Sequence, residues 1–260
     1  MTESKNIGRF TWHELYSPDP AVSKTFYGHV MGWSSQTMSE GDMAGYEMLR
    51  AGDQPAAGLM AMPEQMKAAK VLPHWIGYVS VPDVDATVAR ARELGARVAK
   101  EPTDIVSMGR FAALVDPQGA ALAIFASLDP ASEALPPQAP DGHFGWAELA
   151  TENWDAAFGY YSKLFGWTRG EAMDMGEGAI YQLFRNPGTD FDLGGMFDRT
   201  KEMPISAWLY YVEVANLDAA AAAVKEHGGQ VLGGPMEVPG DTRVVQCLDP
   251  HGAAFALHGK

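Results

Sequence analysis

The feature that most constrains this chain is that it contains one pattern twice. Residues 8–33 align without a gap to residues 142–167, with Trp12 opposite Trp146 and Glu14 opposite Glu148. Residues 78–123 align equally well to residues 211–256. Self-similarity of this kind indicates a repeated architecture, so the chain consists of two duplicates of about 130 residues each.

The copies are separated by a segment that is rich in proline. Residues 127–142 contain four prolines and little apolar periodicity, which is typical of a linker. We therefore predict a first domain over residues 1–127, a linker over residues 128–142 and a second domain over residues 143–260.

Each half divides again into two modules with the order strand, helix and three strands. Residues 9–18 alternate like a strand, and the following segment reads as a helix that Asp19 caps, with Pro20 in its first turn and Gly32 at its end. The pattern restarts after Met62 and recurs in the second half. Two pairings of the four modules remain open: one with two and three with four, or one with four and two with three.

Composition narrows the class of protein. The chain is 47% apolar and 20% charged, which is typical of a globular protein, and its net charge of -14 disfavours binding to nucleic acid or to an anionic membrane. A single cysteine, Cys247, excludes an internal disulfide. With no visible secretory signal and no apolar run of about 20 residues, we predict a cytoplasmic protein.

Three groups of motifs carry a resemblance to a known family. They are the helix ends at residues 26–33 and 160–167, the strand-to-helix joints at residues 81–86 and 214–219, and the Asp-Pro-x-Gly turns that begin at Asp116 and Asp249. Together they resemble the vicinal oxygen chelate superfamily, which includes glyoxalase I, bleomycin-resistance proteins and extradiol dioxygenases. The tandem form looks like the two-domain glyoxalase-like proteins of bacteria.

The resemblance implies an α+β fold. Four βαβββ modules are expected to form two cupped, barrel-like mixed sheets with helices outside, and the ligand is expected inside the cup. The superfamily hosts many chemistries on this scaffold, so the resemblance implies the fold more strongly than the activity.

In metal-dependent members of the family, four strand positions supply His, Glu or Gln to one divalent ion. Three of these positions hold side chains that do not bind metal, and the fourth offers no carboxylate or imidazole at the inward site. A slip of one residue would bring only His13 into place. We therefore expect no metal and no cofactor. This expectation argues against a glyoxalase I or dioxygenase activity. The three position pairs are Trp12 and Trp146, Ile76 and Leu209, and Ala123 and Ala256.

Aromatic and acidic side chains take the place of the metal ligands. Strand alternation puts Trp12 and Glu14 on one face, and the family register points this face into the cup. Such a lining suits a flat or cationic organic ligand. The predicted ligand-binding residues are Trp12, Tyr78, Trp146, Tyr211, Arg110 and Arg243.

Glu14 and Glu148 have two open interpretations. Each is a candidate catalytic general base, since a carboxylate beside an indole has a raised pKa. Each is also a candidate structural carboxylate that binds a backbone N–H or an arginine, with Arg110 and Arg243 as possible partners.

Other polar side chains are expected to be structural. The histidines His13, His74, His143, His251 and His258 read as surface or core residues, Asp116 and Asp249 as turn formers, and Cys247 as a buried small apolar residue.

These observations favour a metal-independent protein that binds a small aromatic or cationic molecule. The alternative is a glyoxalase-like lyase or isomerase, which uses either Glu14 and Glu148 as bases or a metal held by ligands that we did not recognise. A purely structural or interaction role stays open. We expect no nucleic-acid or membrane partner, and a monomer or a homodimer.

Overall fold

The strands and helices of the first half form two successive βαβββ modules. The computed structural model describes residues 5–38, 45–129 and 135–260; part of the predicted linker, residues 130–134, lies outside the described residues. The elements are β1 (Phe10–Ser17), α1 (Pro20–Met31), β2 (Ser34–Thr37), β3 (Glu47–Ala51), β4 (Gln54–Ala61), α2 (Glu64–Ala68), β5 (His74–Ser80), α3 (Val84–Glu93), β6 (Arg97–Ile105), β7 (Gly109–Val115) and β8 (Ala121–Ser127).

The second half repeats this order without the short helix α2. Its elements are β9 (Phe144–Thr151), α4 (Trp154–Phe165), β10 (Thr168–Asp174), β11 (Ile180–Arg185), β12 (Gly194–Asp198), β13 (Ala207–Val214), α5 (Leu217–Glu226), β14 (Gln230–Val238), β15 (Thr242–Leu248) and β16 (Ala254–Gly259).

The strands of each half form one eight-stranded mixed sheet. The orders are β2-β3-β4-β1-β5-β8-β7-β6 and β10-β11-β12-β9-β13-β16-β15-β14. In each module the first and last strands pair in parallel and the remaining neighbours are antiparallel. The sheets are cupped and do not close into barrels. The predicted α+β fold of four βαβββ modules is therefore confirmed.

The chain also divides into two compact units, and each unit takes one module from each half. We call the unit that contains the second and third modules the inner unit, after their place in the sequence, and the unit that contains the first and fourth modules the outer unit. The inner unit comprises the described residues of Met1–Thr11, Gly77–Pro137 and Trp146–Leu209. The outer unit comprises Trp12–Ile76, Gln138–Gly145 and Tyr210–Lys260, again as far as they are described. The sheets thus join modules of one half, whereas the units join modules of different halves. The domain division over residues 1–127 and 143–260 stays a prediction.

The first helix begins and ends where the sequence predicts. The Asp19 carboxylate accepts the backbone N–H groups of Ala21 and Val22 at 3.0 and 3.2 Å. Gly32 ends the helix with φ 68°, a left-handed conformation that glycine adopts without steric cost. Within the described ranges, no helix is both long and apolar enough to cross a membrane.

The core of the outer unit contains a chain of buried hydrogen bonds. The Trp75 indole donates to the Tyr27 hydroxyl at 2.8 Å, and that hydroxyl donates to the Asp249 carboxylate at 3.2 Å. The other Asp249 oxygen accepts two backbone N–H groups of its own turn, at His251 and Ala253. Asp249 therefore forms its turn, as predicted, and also anchors helix α1 to that turn.

The core of the inner unit repeats these contacts. The Trp208 indole donates to the Tyr161 hydroxyl at 3.2 Å, and Tyr161 donates to Asp116 at 2.9 Å. Burial raises the pKa of Asp116, an effect that its hydrogen bonds partly offset. The duplicated sequence therefore builds the same polar network in both units.

Cys247 is buried, as the sequence predicts. Its side chain lies in β15 on the core face. Burial raises the pKa of the thiol to about 12, so the thiol is protonated at neutral pH and is a poor nucleophile.

Candidate functional site

In the outer unit, a tyrosine connects the predicted Trp12 and Glu14. The Trp12 indole donates to the Tyr46 hydroxyl at 2.9 Å. Burial, the negative charge of Glu14 and a hydrogen bond to Glu14 all raise the pKa of Tyr46 well above its ordinary value. Trp12, Tyr46 and Glu14 therefore form a hydrogen-bonded cluster in which the phenol remains protonated.

The inner unit contains the same cluster. The Trp146 indole donates to the Tyr181 hydroxyl at 3.0 Å, and Tyr181 donates to Glu148 Oε2 at 3.0 Å. Glu148 is 9% exposed, and Glu14 in the other cluster is 5% exposed. A buried carboxylate that is held by a neutral donor is a suitable partner for a cationic group. We refer to these two sets of three residues as the Trp–Tyr–Glu clusters.

A glycine makes room for the tyrosine in each cluster. Gly58 lies directly opposite Glu14 in the β1–β4 ladder, and Gly195 lies opposite Glu148 in the β9–β12 ladder. A Cβ atom at Gly58 would overlap the hydroxyl of Tyr46, and one at Gly195 would overlap the ring of Tyr181. The missing side chain lets each phenol cross the glycine and reach the carboxylate.

The predicted tyrosines Tyr78 and Tyr211 have different neighbours. Tyr78 packs against Phe111, with ring centroids 6.1 Å apart. The Tyr211 hydroxyl accepts a hydrogen bond from the Gln246 amide at 3.4 Å. The face of the sheet that carries these residues is thus more polar in the second half than in the first.

The predicted arginines take part in ion pairs beside helix starts. Arg110 donates to Asp85 at 2.7 Å and to Asp104 at 2.6 Å. Arg243 donates twice to Asp218, both times at 3.0 Å. Asp85 and Asp218 lie in the first turns of α3 and α5, where a carboxylate also interacts favourably with the helix dipole. A role of either arginine in ligand binding stays a prediction.

His13 belongs to the aromatic core of the outer unit. Its ring stacks on Phe144 at 3.9 Å and meets the edge of Tyr210 at 4.8 Å. Burial lowers the pKa of His13 to about 3, so the imidazole is neutral at physiological pH. The prediction of a core histidine fits these contacts.

The residues at the family's metal positions do not fit a divalent ion. The indoles of Trp12 and Trp146 carry N–H groups that donate to tyrosines, and Ala123 and Ala256 are buried methyl groups. Across the described part of the chain, no group of three His, Cys, Asp or Glu side chains lies close enough together to hold a metal.

A cleft of about 500 Å³ lies elsewhere in the outer unit. Gly32, Ala51 and Asn216 are among its lining residues, and its lining includes none of the predicted site residues. We regard the Trp–Tyr–Glu clusters as the better candidate site, because they bring together the acidic and aromatic groups that recognition requires.

Tyr46, Tyr181, Gly58 and Gly195 were missed at the level of the sequence. They lie in segments that the repeat alignment leaves out, between its two matching blocks. The sequence did contain an indication of these residues. Each half has a glycine in its fourth strand and a tyrosine close to the start of its third strand.

Comparison with known proteins identifies the family. The family model of the Glyoxalase/Bleomycin resistance protein/Dioxygenase superfamily matches residues 7–124 and again residues 143–257. The two matches correspond to the two halves of the repeat.

One relative aligns with this chain over nearly its whole length. It is the anthracycline biosynthesis protein DauV of a Streptomyces species, which is 28% identical over 265 residues, covering 96% of this chain and 92% of that protein.

Solved structures share the fold at low sequence identity. The Mn(II)-bound glyoxalase from Novosphingobium aromaticivorans superposes with a TM-score of 0.64 at 15% identity, covering 98% of this chain and 82% of its own. The 2,2',3-trihydroxybiphenyl 1,2-dioxygenase from Sphingomonas wittichii gives a TM-score of 0.64 at 13% identity, with coverages of 98% and 91%.

Proposed function

Because the chain belongs to the Glyoxalase/Bleomycin resistance protein/Dioxygenase superfamily, we propose that it is a metal-independent member that binds a small aromatic or cationic organic molecule. The observation that carries this proposal is the Trp–Tyr–Glu cluster, which occurs once in each unit. The relative named for anthracycline biosynthesis supports a role in small-molecule metabolism.

The chemistry of the cluster suits such a ligand. The indole of Trp146 offers a π face that attracts cations, and the Glu148 carboxylate adds a full negative charge. The Tyr181 hydroxyl fixes both groups, because it accepts from the indole and donates to the carboxylate. Less side-chain entropy is then lost when a ligand binds.

The donor set supports independence from metal. At three of the four positions that hold metal in the family, this chain has indole, isobutyl, sec-butyl and methyl side chains, and none of these is a metal ligand. Elemental analysis of the purified protein tests this part. We expect no stoichiometric transition metal, and one tightly bound ion per chain would contradict the proposal.

The ligand class is tested by quenching of tryptophan fluorescence with two probes that differ in charge. 1-Methylquinolinium is a flat cation, and 1-methylnaphthalene is its neutral counterpart of almost equal shape. We expect saturable quenching by both and tighter binding of the cation. Equal affinities would contradict the role of the carboxylates.

Variants of the two glutamates locate the effect. Glu14→Gln and Glu148→Gln keep the shape of the site and remove the charge. We expect each variant to weaken binding of the cation at its own site by up to about tenfold. A tenfold loss corresponds to about 1.4 kcal/mol of binding free energy. Glu93→Gln, at an exposed position on α3, is the control and should bind as the unmodified protein does.

A second candidate function is a lyase or isomerase in which Glu14 or Glu148 is the general base. The observation that favours it is the burial of both carboxylates beside indoles, since carboxylates in such surroundings are common proton acceptors in enzymes. The same variants distinguish the two functions. If a glutamate is the general base, its replacement by glutamine should abolish turnover and leave the binding of a neutral ligand intact.

A further inference from the structure

Three polar side chains of the fourth module form a hydrogen-bonded row. His258 Nδ1 lies 2.7 Å from Glu213 Oε2, and His258 Nε2 lies 2.8 Å from Thr242 Oγ1. Glu213 lies in β13, His258 in β16 and Thr242 at the start of β15. All three residues are in the outer unit, so they belong to one compact body.

The row lies on the same face of the sheet as Tyr211. Glu213 is the ladder partner of His258, and Tyr211 is the partner of Ala256 two residues away. On the opposite face, Val212 and Leu257 are completely buried. The row therefore lies away from that core, and the side chains of His258 and Glu213 are 22% and 13% exposed. The imidazole is therefore partly accessible from solvent.

The carboxylate determines which nitrogen of His258 carries the proton. An ionised carboxylate only accepts hydrogen bonds, so Nδ1 carries the hydrogen and donates it to Glu213. In the neutral imidazole, Nε2 then has a lone pair, and the Thr242 hydroxyl donates to it. The imidazole thus lies between a carboxylate that orients it and a hydroxyl at its other nitrogen, which is the order in which a carboxylate activates an imidazole base in enzymes.

The first half shows that the fold does not need this row. The positions that match Glu213, His258 and Thr242 are Ser80, Phe125 and Gly109. In that half the Phe125 ring lies over Gly109, where a Cβ atom would overlap it. An apolar contact thus takes this place in the first half, and the polar row is particular to the second half.

The neighbourhood of Glu213 is also adapted to its size. A Cβ atom at Gly145 would overlap the Glu213 carboxylate. In the first half, the matching positions hold Thr11 and Ser80, a larger and a smaller residue. The second half thus combines a long carboxylate with a glycine that makes space for it.

We propose that His258, oriented by Glu213, is a general base of the second half, and that it takes a proton from a small conjugated organic molecule with a weakly acidic C–H or O–H group. The acidic group of the ligand displaces the Thr242 hydroxyl from Nε2. Glu213 is a positioning residue, which holds the ring and stabilises the imidazolium that forms. This inference rests on the proposed function for its ligand class and goes beyond it by assigning a proton transfer.

The base is tested with 5-nitro-1,2-benzisoxazole, a flat molecule with one acidic C–H group. The C–H bond breaks, its proton passes to His258 Nε2 and its electron pair forms the additional C–N bond of the nitrile. The N–O bond breaks in the same step, and its electron pair moves to oxygen. The product is a coloured cyanonitrophenolate, and the step consumes no other reactant.

Four variants give separate expectations. His258→Gln should lower turnover by about tenfold or more. Glu213→Gln should lower kcat by several-fold with KM unchanged, because its amide oxygen still accepts from Nδ1 without the negative charge. Thr242→Val should raise turnover, since the ligand no longer competes with a hydroxyl. Ser80→Ala, at the matching position of the first half, is the control and should leave turnover unchanged.

The opposite signs for His258→Gln and Thr242→Val exclude a general loss of folding as the cause. Equal turnover in the unmodified protein and in His258→Gln would overturn the proposal, and so would a loss of turnover in Thr242→Val.

Fluorescence quenching by the same benzisoxazole separates this proposal from the proposed function. Saturable quenching without turnover that depends on His258 would overturn the general base and leave ligand binding intact. Turnover that depends on His258 without quenching would support the base and contradict binding at the Trp–Tyr–Glu clusters. Absence of both would overturn both proposals.

Discussion

The Trp33 indole donates a hydrogen bond to the backbone carbonyl of Gly142 across 2.9 Å. The matching residue of the second half, Trp167, donates to the carbonyl of Gly8 at 2.7 Å. Each bond joins the end of a first helix in one half to the segment before the first strand of the other half. Within each unit, an indole of one half thus binds a backbone carbonyl of the other half. The two contacts are reciprocal, like those between the two subunits of a dimer.

Trp33→Phe and Trp167→Phe should each destabilise the protein. Both indoles are buried, and phenylalanine leaves the carbonyl without its donor in a dry site. We expect a loss of about 1–3 kcal/mol in the free energy of unfolding for each variant, measured by urea denaturation. Trp154→Phe is the control, since Trp154 begins helix α4 and is only partly buried. A control effect as large as the other two would contradict this account.

Gly195→Ala should disrupt the cluster of the inner unit without removing any polar group. The added methyl group overlaps the Tyr181 ring, so the phenol moves away from Glu148. We expect weaker binding of 1-methylquinolinium at this site, measured by fluorescence quenching. Gly159→Ala in helix α4 is the control, because no atom lies near a Cβ at that position and its backbone is not left-handed. Unchanged affinity in Gly195→Ala would show that the Tyr181–Glu148 contact is not needed for binding.

His13 should make the protein less stable in acid. Its pKa falls from 6.5 to about 3 on folding, so between these values the unfolded chain binds the proton and the folded protein does not. His13 therefore leaves the free energy of unfolding unchanged above pH 6.5. Below that pH the free energy of unfolding decreases by up to about 1.4 kcal/mol per pH unit as the pH falls towards 3. His13→Phe keeps a ring against Phe144 and should flatten this dependence, as seen in urea denaturation at a series of pH values.

Asp116 should act in the opposite direction. Burial raises the pKa of Asp116 above its ordinary value of 3.8, so the folded protein holds the proton more tightly than the unfolded chain does. Its contribution to stability is complete below about pH 4 and is lost as the pH rises through the raised pKa. Asp116→Asn keeps an oxygen for the backbone N–H groups of its turn and should remove this loss. An unchanged pH profile in the variant would contradict the raised pKa.

The fold could be predicted largely from local patterns. The strand β1, the cap at Asp19 and the stop at Gly32 were each predicted from a few neighbouring residues, and all three are found in the structure. The repeat then extends each local prediction to the second half. The same-face placement of Trp12 and Glu14 also follows from alternation, and both residues interact with one hydroxyl, that of Tyr46.

The candidate site was only half predictable. Tyr46 and Gly58 join Trp12 and Glu14 through strand pairing, and the Glu14–Gly58 register connects positions that no short-range pattern links. The row of Glu213, His258 and Thr242 is harder still to foresee, since three separate strands must bring these side chains together. Each of the three has an ordinary local reading in the sequence.

The sequence by itself thus determined the modules, their duplication and the residue types at the family's metal positions. These properties depend on side-chain identity and on periods of two or of about four residues. Tertiary structure alone decided that each compact unit takes one module from each half, that glycines admit the tyrosines to the carboxylates, and that one half carries a histidine row where the other has a phenylalanine. Such outcomes depend on strand register and packing, which are set by the combined burial of residues far apart in the chain.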